Sequence, residues 1–216
     1  MPLPEPGSSF SSTLSVVDLS SAREAATRAC RELEQAATRH CETHGEDAFC
    51  LFLKIHSCIC KRVRSSSSPE ILVLNALFAE RCVEICQCLR DGRFNSRHLS
   101  LNWIDALLSY VERPLDVATA LPNFAATHIL DDLEGVLFEV LDRFRIAVQK
   151  SAFDSVLDDI EECLDEISAF DRPIERILWV IAKRSKLVRV TLYEWREIAW
   201  TRYERRVRLK QALEDK

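Results

Sequence analysis

Two histidines and two cysteines crowd one stretch near the start of the chain: His40, Cys41, His44 and Cys50. Four nitrogen and sulfur donors suit tetrahedral zinc. Gly45 is placed to stop a helix and reverse the chain, so an antiparallel fold-back sets Cys50 opposite about residue 40. The same fold-back sets Cys58 opposite about residue 32, away from the turn. His56, Cys60, Cys82, Cys86 and Cys88 add donors to the first half of the chain, but no Cys-x-x-Cys occurs. His56 lies off the polar strip of its helix and reads as a core histidine. The expectation is no resident metal or cofactor, with His40, Cys41, His44 and Cys50 as the zinc candidates.

Carboxylates cluster once. Asp158-Asp159-Ile160-Glu161-Glu162 resembles the acid-rich Mg²⁺–diphosphate motif of all-helical terpenoid synthases. The resemblance spans five residues and no second metal motif follows. An acidic outer face flanking Leu157, Ile160 and Leu164 accounts for the same residues, and that reading is kept. Asn102-Trp103 is similar to the groove motif of helical apoptosis regulators, but Ile104 stands where that motif has glycine. No cysteine sits in a glycine-rich or helix-start setting that would activate its thiol. The chain is expected not to be an enzyme.

The basic C-terminal segment carries the functional expectation. Between Arg172 and Lys210 stand twelve bases and four acids, whereas Ser151 to Asp171 holds eight acids and no base. Trp179, Trp195 and Trp200 place three of the four tryptophans in the basic segment. Aromatics supply contact area and arginines supply bidentate charged contacts, so Trp195, Trp200, Arg202, Arg205 and Arg206 are the expected partner-binding residues. The expected function is a non-enzymatic protein-interaction module, binding a protein partner or a second copy of itself. The alternative is a protein that binds a lipid or apolar ligand between its helices, or lies on an anionic membrane. Pairing of the acidic and basic segments with each other is the structural alternative. A second regulatory feature is Arg62-Val-Arg64-Ser-Ser-Ser67, which resembles a basophilic kinase site, followed by Ser68-Pro69; Ser67 and Ser68 are the phosphorylation candidates.

These residues need elements to position them, and the elements are helices. Four glycines in 216 residues exclude glycine-cradled phosphate loops and disfavour a many-turned β architecture. The expected fold is all-α: a single bundle of seven or eight helices over 18–216, preceded by a disordered Pro/Ser-rich tail over 1–17. Ser21-x-x-Glu24 predicts a capping box opening a helix to His44. Its inward stripe is small, from Ala22, Ala26 and Ala29 to Leu33 and Ala36. A second helix over 47–64 is apolar nearly all round, with Asp47, Lys54, Ser57, Lys61 and Arg64 on one narrow strip. Ser68-Pro69-Glu70 starts a third, ended by Asp91-Gly92. A fourth covers 97–112. Pro122 is expected to close a short element, and Thr127 to cap a fifth helix reaching Lys150. Two further helices follow, and 187–216 reads as a long, partly projecting helix.

Net charge is −5, a poor start for nucleic-acid binding. No apolar run is long enough to span a bilayer. Nine cysteines, an odd number set within helical patterns, predict reduced thiols and a cytoplasmic or nuclear protein.

Overall fold

The computed structural model describes residues 18–94, 99–154 and 186–214. The expectations for the N-terminal tail, for the acidic motif at Asp158 and for Trp179 lie outside them. The described elements are all helical, with no strand among them. They are α1 (Leu19–His44), α2 (Ala48–Val63), α3 (Pro69–Asp91), α4 (Leu101–Glu112), α5 (Val117–Thr127), a π-helical turn (His128–Asp132), α6 (Leu133–Phe144) and α7 (Lys186–Glu214).

The first three helices form a three-way pack. Ala22, Ala26, Ala29, Leu33 and Ala36 of α1 are all buried, as their spacing predicts. So small a stripe lets α3 approach closely, and α3 packs against it with Ile71, Leu72 and Val73 in the core. α1 starts earlier than the capping box implies. Asp18, not Ser21, is its N-cap, accepting from the Ser20 and Ser21 amides at 2.8 and 3.1 Å. α3 opens on Ser68, whose hydroxyl accepts from the Ile71 amide, and closes on Gly92 at φ +63°, where left-handed backbone favours glycine.

The predicted polar strip of α2 is half wrong. Asp47 and Ser57 are buried. Phe49, Phe52 and Leu53 of α2 meet Trp103 and Phe124 in the core.

Two expectations fail around α5. Pro122 does not end a helix but lies inside one, and Thr127 is a buried helical residue rather than a cap. A proline there removes one ladder bond, at a cost of about 3 kcal/mol. Burial of Ala120 and Phe124 offsets it. α5 then runs through the wide turn at His128–Asp132 into α6, which ends at Arg145 rather than near Lys150. α7 is helical throughout, and its 29 residues extend about 43 Å at ~1.5 Å each. It does not simply project: Ala199, Trp200 and Tyr203 are buried, against α6 and the π turn.

The expectation that all thiols are reduced is also corrected. Cys41 and Cys50 form a disulfide with Cα atoms 5.4 Å apart. The fold-back at Gly45 brings them together as predicted. Closing a loop with a sequence separation of 9 removes chain entropy worth about 2–3 kcal/mol. Cys41→Ser/Cys50→Ser is expected to lower Tm by about 5–10 °C. Calorimetry of the oxidised and double-serine chains checks this, and equal Tm values would contradict it.

Candidate functional site

Among the described residues, large apolar side chains are left exposed on α7, from Val190 to Leu213, and on and just after α4. The inner face of α4 is Trp103, Ala106, Leu107 and Tyr110, all buried. On the other side Leu101, Leu108, Val111 and Leu115 are 79%, 45%, 52% and 67% exposed. With half-buried Ile104, Leu101, Leu108 and Val111 follow the spacing 101, 104, 108, 111 of a heptad seam along α4, and Leu115 is exposed in the turn beyond the helix end. Asp105 and Glu112, both exposed, run along one edge of that row.

What turns α4 this way is a set of bonds to the π turn. Ser100 caps α4 through the Trp103 amide and donates its hydroxyl to Asp131 at 2.5 Å. Asn102 donates to the same carboxylate at 3.0 Å. Trp103 Nε1 donates to Asp132 at 2.9 Å. The sequence shows Asp131-Asp132 only as an acidic helix start. In the fold these two carboxylates set the orientation of α4.

Asp132 also accepts from His128 Nδ1 at 2.7 Å. An ionised carboxylate only accepts, so Nδ1–H is the donor in this bond. Nε2 is buried and has no hydrogen-bond partner among the described residues. Leaving a buried polar atom unpaired costs about 1–3 kcal/mol. Beside His128 stand His56 of α2 and Cys82 of α3, with one ligand atom from each of the three residues lying within 4.8 Å of the others. The two imidazole centroids are 4.2 Å apart. Phe52 and Phe78 wall the space, their rings 5.6 and 4.8 Å from His128. Burial first, then neighbouring His128, holds His56 well below the usual histidine range, so its ring is neutral. Burial, with Cys86 and Asp132 nearby, pushes the Cys82 thiol well up.

The zinc candidates of the sequence do meet at the turn, but not as a ligand set. The Cys41 and Cys50 sulfurs are bonded to each other. His40 stacks on His44 at 4.6 Å and its Nε2 lies 3.2 Å from both carboxylate oxygens of Asp47. Asp47 caps α2 through the Cys50 amide at 2.7 Å and accepts from the Tyr110 hydroxyl. This cluster ties α1, α2 and α4 together. The reading of inert cysteines needs one correction: Cys60's hydrogen bond first, against burial and helped by Asn75, draws Cys30 down to about 7. Cys30 is 2% exposed, so no substrate reaches it.

The expected contact residues of α7 divide. Trp200 is not available to a partner: it stacks on Phe153 at 5.5 Å, and Nε1 donates to Glu204 at 3.0 Å. Trp195 is half-buried. Arg202 donates to the Leu130 carbonyl at 3.2 Å, and Arg206 lies 3.9 Å over the Phe138 ring. Arg206 also approaches Glu134 at 3.8 Å. Arg205 is exposed. Arg206 and Lys210 of α7 thus pair with Glu134 and Asp142 of α6. Ser67 is exposed in its linker, whereas Ser68 serves as the α3 cap.

No helix among the described residues is long and apolar enough to cross a membrane. Compared with protein-family models, curated proteins and solved structures, the chain matches none.

Proposed function

We propose that this chain is a non-enzymatic helical interaction module that docks a helix of a protein partner on the outward row of α4. The observation that carries the reading is the exposed heptad row Leu101, Leu108 and Val111 on a helix whose other face is anchored, with Leu115 exposed in the turn that follows. Exposed leucines are common singly, but a continuous row at seam spacing is a partner surface. Asp105 and Glu112 along its edge select a partner helix with apolar residues at the same spacing and bases beside them. Relative to the sequence expectation the proposed contact surface moves from α7 to α4, because Trp200 is buried and the exposed Arg202 and Arg206 already contact the Leu130 carbonyl and the Phe138 ring.

Fluorescence anisotropy tests this with a labelled amphipathic peptide, a leucine row flanked by lysines, titrated with the full chain. Leu108→Asp is expected to weaken binding about tenfold or more, since one buried leucine contributes ~1.5–3 kcal/mol. The side chain is solvent-facing, so far-UV circular dichroism and Tm should be unchanged. A glutamate-flanked peptide should bind more weakly than the lysine-flanked one. Equal binding of the lysine peptide by wild type and Leu108→Asp would overturn the assignment.

A further inference from the structure

We infer that His56, Cys82 and His128 form a three-ligand site for a borderline-soft divalent cation of the zinc type, held in the core between α2, α3 and the π turn. The three donor atoms already lie within 4.8 Å of one another. Bond lengths of ~2.0–2.3 Å place tetrahedral ligand atoms ~3.4 Å apart, so the side chains need to draw in by about 1 Å or slightly more.

The second, independent observation is His128 itself. It is 3% exposed, its Nδ1 is held by Asp132, and its buried Nε2 has no partner among the described residues, which leaves Nε2 as the nitrogen able to bind a cation. A histidine whose far nitrogen donates to a carboxylate is the usual arrangement of a metal-bound imidazole, because the carboxylate sets the tautomer and raises ligand basicity. Trp103 holds that carboxylate from the other side at 2.9 Å. Two nitrogens and one sulfur favour zinc over magnesium or calcium, which take oxygen. Binding expels the Cys82 thiol proton to solvent and leaves a thiolate on the metal. Three protein ligands leave a fourth position for water or an exogenous donor. Phe52 and Phe78 wall the chamber, so exchange there is slow and any fourth ligand is small.

This inference is independent of the α4 proposal and fails separately from it. The test uses the full chain, stripped of metal with a chelator, its Cys41–Cys50 bond intact, and titrated anaerobically with Co²⁺ and then Zn²⁺. The expected result is one Co²⁺ per chain with ligand-field bands of a tetrahedral ion and a thiolate-to-cobalt charge-transfer band, all bleached by Zn²⁺. Cys82→Ser should abolish the charge-transfer band. His56→Gln and Asp132→Asn should each weaken affinity about tenfold or more. His40→Gln, at the other histidine cluster, should leave spectrum and stoichiometry unchanged. Absence of stoichiometric cobalt binding to the folded wild-type chain would overturn the site. So would a charge-transfer band that survives Cys82→Ser or is lost in His40→Gln.

Discussion

Trp103→Ala is expected to reduce the unfolding free energy by about 4 kcal/mol, within the range for deleting a buried tryptophan. The ring is 1% exposed and packs edge-on to Phe52 at 5.8 Å and stacked on Phe124 at 6.0 Å. Truncation leaves a cavity where α2, α4 and α5 meet. It also removes the indole donor from Asp132, the carboxylate that fixes His128. Trp103→Phe separates these contributions. It keeps most of the ring but no donor, so a loss of about 1.5–3 kcal/mol is expected for a bond to a charged acceptor. Urea unfolding reads both values, and Tm should fall by about 8–16 °C for the alanine variant. A loss below about 1 kcal/mol for alanine would mean that Trp103 does not anchor α4, since core truncations of this size cost far more. Identical stability of wild type and Trp103→Phe would remove the Asp132 bond from the account.

Asp47→Ala is expected to cost about 3 kcal/mol, from the loss of a helix cap and of a buried charged acceptor. One carboxylate, 3% exposed, accepts from the Cys50 amide and the Tyr110 hydroxyl and pairs with His40. Its removal leaves the Tyr110 hydroxyl and the α2 amide without this acceptor. Burial pushes the Asp47 carboxyl up, but the bonds from His40, the Cys50 amide and Tyr110 outweigh it and hold the group below its usual value. The sign for pH follows from that direction. A depressed folded pKa contributes stability that is complete above the unfolded value of about 3.9 and is lost as pH falls through the lower, folded value. Asp47→Asn keeps the shape but cannot titrate. The stability gap between wild type and Asp47→Asn should therefore be widest near neutrality and narrow on acidification. Urea unfolding at a series of pH values checks this, and a gap that does not change with pH would contradict the assignment.

Local signals in the sequence account for much of the helical framework. Ser68-Pro69-Glu70 and Asp91-Gly92 bracket α3 because caps and breakers act through neighbouring backbone. The alanine stripe of α1 announces a close helix contact. Pro122 misleads, because its cost is local whereas the burial of Phe124 that offsets it is tertiary. The π turn has no residue signature at all. Asp47 reads as polar and therefore wet, since its partners His40 and Tyr110 come from other helices.

The sites divide in the same way. His40, Cys41 and Cys50 are brought together by one local reversal, so their proximity is legible, although the disulfide rather than a metal joins the sulfurs. His56, Cys82 and His128 come from three separate elements, and no spacing rule connects them. The only sequence trace is the pair His128 and Asp132 at helical spacing. α4 is apolar on two faces, so periodicity alone does not say which is core. Trp103, with its donor to Asp132, decides that Leu101 and Leu108 face outward. The α7 tryptophan Trp200 goes the other way, because Phe153 and Tyr203 supply an aromatic pocket for it.

The claim that the outward row of α4 is the binding face is tested most directly by locating a bound helix. Amide chemical shifts of the isotope-labelled full chain are recorded with and without the leucine–lysine peptide. Perturbations are expected to concentrate over residues 101–115, with α7 largely silent. Perturbations centred on α7, around Arg205 and Leu209, with 101–115 unchanged, would contradict the claim and return the contact surface to the basic C-terminal helix.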